Sequence, residues 1–258
     1  MFDFSPYSAI FLDLDGTLYK EDQPLPGAVA LLDRLASDGK TLACPTNATQ
    51  SPERLSTRLH HMGIPMPADR IFTAAQAAVG YCLEKFAPAP RLFNLATEGV
   101  ADMLEGRSIN VHSEYEPCHA VIIGNPECLY ATPARLAIGT RLLRAGAACI
   151  GICDDRVYPS PRGLEIGSGA MTRMLAYASA TEPQFFGKPN PEFFHKICRQ
   201  LNVSADRCLM IGDNLESDIA GAKNAGIATM LVLTGVASRA DVPARGGPDW
   251  VVADLTEL

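Results

Sequence analysis

No apolar run in these 258 residues approaches the roughly 18 residues needed to span a bilayer. The N-terminus lacks a basic segment followed by an apolar core, and Asp3 and Asp13 interrupt it. No signal peptide and a cytoplasmic setting are therefore expected. Basic residues are in deficit, 22 Lys and Arg against 29 Asp and Glu, for a net charge of −7. That argues against nucleic-acid polymers and anionic membranes as partners. It leaves room for an anionic small molecule, since a local cation or metal overrides the global field. The eight cysteines, at positions 44, 82, 118, 128, 149, 153, 198 and 208, form no Cys-x-x-Cys and no zinc-type Cys/His spacing. Several fall in apolar runs and read as reduced core residues. The five histidines form no ligand set; His60 and His61 are adjacent and point in different directions on a helix. No internal repeat or low-complexity tract is present.

What is there is a globular composition, 47% hydrophobic, long enough for one large or two small domains. The expected order begins with a strand over residues 8–15, a helix over 27–37, a strand over 40–47 and a helix from Ser51. Ser51 is the N-cap of that helix and Pro52 its first residue. Such alternation predicts an α/β fold, a doubly wound parallel sheet with flanking helices. A helix over 74–86 closes at Pro88 and Pro90. A second run of strands (91–96, 120–124, 148–153) and helices (99–105, 132–145, 169–180) then forms an inserted smaller α/β domain. Residues 154–169, rich in Gly, Pro and charge, read as a loop. The first pattern resumes with a loop at 185–189, a helix over 191–201, a strand over 208–212, a helix over 217–225, and strands at 229–233 and 250–252. The expected division is a core of 1–79 and 183–258, with an insert of 80–182.

The chemistry concentrates at junctions. Ala9-Ile10-Phe11-Leu12-Asp13-Leu14-Asp15-Gly16-Thr17 is an apolar strand ending in two acids, a glycine and a threonine. On a strand, residues i and i+2 share a face, so Asp13 and Asp15 are expected to converge. Converging carboxylates need a proton or a metal between them. An EF-hand is excluded: its sixth and twelfth positions require Gly and Glu, and here hold Leu18 and Pro24, or Lys20 and Pro26. Three more junctions carry polar groups: Thr46-Asn47, Lys188, and Asp213-Asn214 with Asp218. In a parallel sheet the carboxyl ends of all strands lie along one edge, where ligands bind.

These residue types suit phosphoryl transfer. Asp13 can attack phosphorus and form an aspartyl-phosphate. Asp15 can protonate the leaving oxygen and then take a proton from water. Mg²⁺, Lys188 and the Thr46 hydroxyl can stabilise the equatorial oxygens. Mg²⁺ prefers oxygen ligands, and Asp13, Asp213 and a backbone carbonyl near Asp15 form a fitting set. The expected metal residues are thus Asp13, Asp15 and Asp213.

In this order the motifs resemble those of the haloacid dehalogenase superfamily of phosphohydrolases. DLDGT at 13–17 matches the first motif, Thr46-Asn47 the second, Gly187-Lys188-Pro189 the third, and GDNLESD at 212–218 the fourth. The insert is similar to the α/β cap of class IIA members, among them 4-nitrophenylphosphatases, nucleotidases, and phosphoglycolate and pyridoxal-phosphate phosphatases. The resemblance implies a Rossmann-like core and a Mg²⁺-dependent phosphatase acting on a small phosphorylated metabolite. It implies Asp13 as nucleophile and Asp15 as acid/base. Thr46, Asn47 and Lys188 would bind the phosphoryl group, Asp213 the metal, and Asn214 and Asp218 would support that site. A possible homodimer through the cap is implied by resemblance alone. In that cap a substrate-facing strand often ends in Thr-Asn-x-Asp followed by a proline. Here Ile152-Cys153-Asp154-Asp155 precedes Tyr158-Pro159, so Asp155 matches and Cys153 replaces the asparagine. Ala48 likewise stands where a second asparagine is common.

Competing readings are a dehalogenase, which has no need of Asp15; a phosphomutase, which must recapture its phosphate; and a non-catalytic phosphate-binding regulatory protein. A receiver-like domain needs about half this length and no insert.

Overall fold

The computed structural model describes residues 2–126, 129–160 and 163–258; Cys128 lies outside them. The chain forms two compact units, one of Met1–Thr46, Pro52–Phe72 and Lys188–Leu258, the other of Asn47–Ser51 and Thr73–Gly187.

The first unit is built on a six-stranded sheet in the order Trp250–Val252, Ala228–Val232, Cys208–Gly212, Ala9–Leu12, Thr41–Thr46, Ile71–Thr73. Ala9–Leu12 lies at its centre, fully buried, and pairs in parallel with Cys208–Gly212 and with Thr41–Thr46. A strand covered on both faces needs apolar residues at successive positions, and Ala-Ile-Phe-Leu and Cys-Leu-Met-Ile supply them. Flanking helices bury one stripe each: Leu31, Leu32 and Leu35 of Ala28–Ser37, Leu55 and Leu59 of Pro52–His61, and Phe193, Phe194 and Ile197 of Pro191–Leu201.

The second unit carries a five-stranded sheet, ordered Pro183–Phe185, Ala148–Gly151, Ala120–Ile123, Arg91–Leu95, Ile109–Asn110, every neighbouring pair parallel. Alternate residues enter opposite layers. Leu92, Ile122 and Ile150 pack with Ala78, Val79 and Cys82 of helix Ala74–Lys85. Phe93, Val121 and Ile123 pack with Leu142 of helix Pro133–Arg144 and Leu175 of helix Ser168–Ser179. Helix Ala74–Lys85 therefore belongs whole to this unit, which exceeds the expected 80–182 insert at both ends.

Four expectations are corrected. The first strand ends at Leu12, not 15. The Thr17 and Leu18 amides donate back to the Leu14 carbonyl, and the Gly16 amide donates to Tyr19 O at 2.7 Å, so the chain is already turning. Residues 154–169 are not all loop. Val157–Ser160 and Gly163–Ile166 form an antiparallel hairpin, with the Tyr158 and Ser160 hydroxyls donating to Glu165 at 3.0 and 2.7 Å. The 185–189 loop is preceded by a strand, Pro183–Phe185, at the edge of the second sheet. The helix expected over 217–225 begins earlier, as a π-helical turn at Leu215–Ala220 that runs into Gly221–Asn224.

The sheet edge at Trp250–Val252 is tied by Asp249. Its Oδ2 accepts the Thr229 amide and hydroxyl, both at 2.8 Å, and Lys223 Nζ lies 3.3 Å from Oδ1. Partial burial alone would raise this carboxyl, but the Thr229 and Lys223 contacts outweigh it and hold it below its ordinary value. A depressed folded-state pKa means the unfolded chain binds the proton more tightly. The stabilisation is then present above the unfolded carboxylate value and lost as pH falls through the folded one. Asp249→Asn should cost about 1 kcal/mol near neutral pH. The gap from wild type should narrow below about pH 4 in thermal melts at pH 7 and pH 3.

Candidate active site

Asp13 follows the central strand, and its amide continues the pairing by donating to Ile211 O at 2.9 Å. Asp213 follows the neighbouring strand, and the register Leu12↔Ile211 brings Asp13 level with Gly212, one residue before Asp213, so both acids emerge at the carboxyl edge. Thr46 ends the strand on the other side of Ala9–Leu12 and is buried. Lys188 is at no strand end of this sheet. It lies three residues before the start of helix Pro191–Leu201, whose first turn is capped by the Asn190 side chain accepting the Glu192 amide at 3.0 Å.

The Lys188 ammonium is 3% exposed and lies between two carboxylates. It donates to Asp13 Oδ1 in a short contact and to Asp218 Oδ1 at 2.6 Å. Asp218 Oδ2 accepts the Asn214 amide at 3.1 Å, and the Asn214 side chain accepts the amides of Glu216 and Ser217. Asn214 thus fixes the π-helical turn that presents Asp218. Gly212 makes room for it, since a Cβ there would sit 2.4 Å from Asp218 Oδ2.

Burial alone would lower the Lys188 pKa, but Asp13 and Asp218 outweigh it and hold the side chain as an ammonium. Burial, reinforced by Asp218 and Asp213, pushes Asp13 up against the pull of Lys188. Burial and then Asp218 push Asp213 up to about 6. The carboxylates of Asp13, Asp213 and Asp218 offer oxygens within 4.8 Å of one another. Three acids face one ammonium, and ionised together they would leave two negative charges in a buried space, which is why burial and mutual repulsion push Asp13 and Asp213 up. A hard divalent cation with oxygen ligands fits that donor set and charge.

Asp15 is outside that group. Its side chain is exposed on the turn, and because the strand ends at Leu12 the two acids do not share a strand face as expected; both lie in the segment that follows it. The carboxyl is still partly desolvated; this raises its pKa against the opposing pull of Arg58 and Lys20. Asn47 and Asp155 are brought together in the second unit. The Asn47 amide nitrogen lies 3.1 Å from each Asp155 carboxylate oxygen.

Sequence reasoning missed the segment after strand Ala228–Val232. The Val236 amide donates to Asp213 Oδ2 at 2.6 Å, the Ala237 amide to Asp213 O at 3.1 Å, and the Thr234 hydroxyl to Gly16 O at 2.6 Å. A Cβ on Gly235 would lie 1.9 Å from Asp213 Oδ2. The signal was available: Thr234-Gly235 follows a parallel strand at the same edge as Asp13 and Asp213.

The fold and site define a Rossmann-like α/β hydrolase core with buried acids at its carboxyl edge. A family model described as haloacid dehalogenase-like hydrolase matches residues 10–110, and one described as HAD-hydrolase-like matches 185–258. The acid sugar phosphatase of Staphylococcus saprophyticus is 30% identical over 254 residues, 98% of this chain and 96% of its own length. That of Staphylococcus aureus is 32% identical over 253 residues, 97% of this chain and 96% of its own. The crystal structure of a 4-nitrophenylphosphatase from Thermotoga maritima superposes with a TM-score of 0.89 at 30% identity, covering 98% of this chain and 97% of that one. A glycerol phosphate phosphatase from Mycobacterium tuberculosis, in complex with magnesium, gives 0.88 at 28% identity, covering 98% and 76%. The chain belongs to the haloacid dehalogenase-like hydrolases, in their class IIA branch, and is a phosphoric monoester hydrolase.

Gly235→Ala should displace Asp213 from the Val236 amide. Turnover should fall about 100-fold, read as initial rates at saturating substrate, with the wild-type far-UV spectrum retained.

Proposed function

We propose that this enzyme hydrolyses a small phosphorylated metabolite through an aspartyl-phosphate on Asp13, with Mg²⁺ bound by Asp13 and Asp213 and by the backbone near Asp15. The observation that carries the reading is the buried cluster of Asp13, Asp213 and Asp218 around the Lys188 ammonium. Lys188 holds Asp13 Oδ1, which leaves Oδ2 as the oxygen we assign to the attack on phosphorus. As that P–O bond forms, the bond to the leaving oxygen breaks, and Asp15 delivers its proton there. The raised pKa of Asp15 suits this role, because a general acid must hold its proton near the working pH. In the second half-reaction Asp15 takes a proton from water, the water oxygen attacks phosphorus, and the Asp13 carboxylate is released with inorganic phosphate. When bound, Mg²⁺ would neutralise charge on the transferring phosphoryl group. Lys188 and the Thr46 hydroxyl bind the same oxygens, and Asp218 holds Lys188 in place.

The two compact units take the roles of catalytic core and class IIA cap in this proposal. Cytoplasmic residence is supported by the cysteines, since each of the seven described ones is free. Among the described residues no helix is long and apolar enough to cross a membrane. A homodimer through the cap belongs to the same proposal.

Purified protein with Mg²⁺ should release 4-nitrophenol from 4-nitrophenyl phosphate, and a chelator should abolish release. Asp13→Asn should lower kcat by about 10³-fold or more. A variant with most of the wild-type rate overturns the nucleophile assignment. Exchanging residues 154–169 for the segment of a relative should change the ratio of kcat/KM between two sugar phosphates. The Asp13→Asn defect should persist in that background.

A further inference from the structure

The amide of Asn47 and the carboxylate of Asp155 stand 108 positions apart in sequence and form a bifurcated contact, with Nδ2 3.1 Å from both oxygens. A third group joins them. The Cys153 thiol donates to Asp155 Oδ2 at 3.2 Å and lies 3.8 Å from the Asn47 carbonyl. Burial first, and then the neighbouring carboxylate, push this thiol well above its ordinary pKa, so it keeps the proton it donates. The main chain of Asp155 is itself fixed: its carbonyl accepts the amides of Gly169 and Ala170, at 3.0 and 3.2 Å, in the first turn of helix Ser168–Ser179. Asp155 is thus a rigid anchor within the second unit.

The other end of the Asn47 amide group also has a fixed neighbour. A Cβ on Gly187 would lie 2.4 Å from Asn47 Oδ1 and 3.1 Å from Cys153 Cβ. Gly187 is held in turn by its amide, which donates to Ile152 O at 3.0 Å. Only glycine lets the chain pass this close to the Asn47 side chain. Asn47 and Gly187 stand at two of the four points where the chain crosses between the two units, the first and the last. The next residue beyond these two crossings is Thr46 in one case and Lys188 in the other.

We propose that Asp155 is a positioning residue for phosphoryl transfer: its carboxylate clamps Asn47, Asn47 packs on Gly187, and the clamp sets the main chain that delivers Thr46 and Lys188. This deepens the phosphatase reading and rests on it. It replaces the expectation that Asp155 meets the substrate, because its oxygens are engaged by Asn47 and Cys153. A substrate-contacting acid discriminates between leaving groups. A clamp acts on the phosphoryl group that every substrate shares. The replacement of asparagine by Cys153 then supplies a second donor to the carboxylate.

The test compares wild type, Asp155→Ala, Asp155→Asn, Asn47→Ala and the Asn47→Ala/Asp155→Ala double variant. One readout is kcat/KM for 4-nitrophenyl phosphate and glycerol phosphate; the other is orthovanadate affinity by calorimetry. Asp155→Ala should lose about 10- to 100-fold in kcat/KM, by the same factor for both esters, and should weaken orthovanadate in parallel. Asp155→Asn, which keeps one acceptor oxygen for the Asn47 amide, should recover part of both. The double variant should be no worse than the poorer single variant, as for residues acting through one contact. Unequal losses between the two esters, additive losses in the double variant, or unchanged orthovanadate affinity in Asp155→Asn and Asp155→Ala would each overturn the proposal. If Asp155→Ala fails to fold, Asp155→Asn and Asn47→Ala decide it. A wild-type protein that binds orthovanadate but hydrolyses neither ester overturns the phosphatase reading. The affinity series still decides the clamp.

Discussion

One buried ammonium organises the site. Lys188 is enclosed by Asp13 and Asp218, and none of the three has much water to fall back on. Removing one member of such a group leaves an uncompensated charge, at a cost of about 3–5 kcal/mol. The cost explains why so much local structure serves it. Asn214 pins the turn that aims Asp218, and Gly212 leaves room for its carboxylate. Asn190 starts the helix behind Lys188. The ammonium does not satisfy all the charge around it, and the remaining carboxylate charge is what a divalent cation would neutralise.

Parallel pairing places the acids. Ala9–Leu12 and Cys208–Gly212 run side by side in register, so the residues that follow them emerge together. The same edge receives Thr46 from one neighbour and the Thr234–Val236 segment from another strand. Close approach there demands residues without side chains, and Gly16 and Gly235 both pass within reach of the Asp213 carboxylate. The strand ends, more than any loop, fix the geometry of Asp13 and Asp213.

The strands and helices that bury an apolar stripe were legible from periodicity, because the core enforces that pattern. The junction residues were legible because expensive groups at strand ends need a reason. Asp15 was misplaced by extending the strand three residues too far. The apolar Leu14 reads like a strand residue, but its carbonyl is the acceptor of a turn. The hairpin around Val157–Ser160 and Gly163–Ile166 hid behind proline and glycine, which usually mark loops. Its alternation is short, and the antiparallel register, together with the Glu165 contacts to Tyr158 and Ser160, reveals the pairing. The Asn47–Asp155 contact could not be read at all. Local pattern carries no information about which amide meets which carboxylate across 108 positions.

The order of the central sheet also bears on how the chain is made. Ala9–Leu12 leaves the ribosome early, but its neighbour Cys208–Gly212 comes roughly 200 residues later, which at about 5–20 residues per second means a wait of roughly 10–40 s. The second unit is complete by Gly187, before the last three strands of the first sheet exist. During synthesis the nucleophile's strand therefore has one unpaired apolar edge while a finished domain stands downstream of it. An apolar strand edge left unpaired for that long favours aggregation over folding, a hazard that belongs to the making of the chain and not to the finished enzyme.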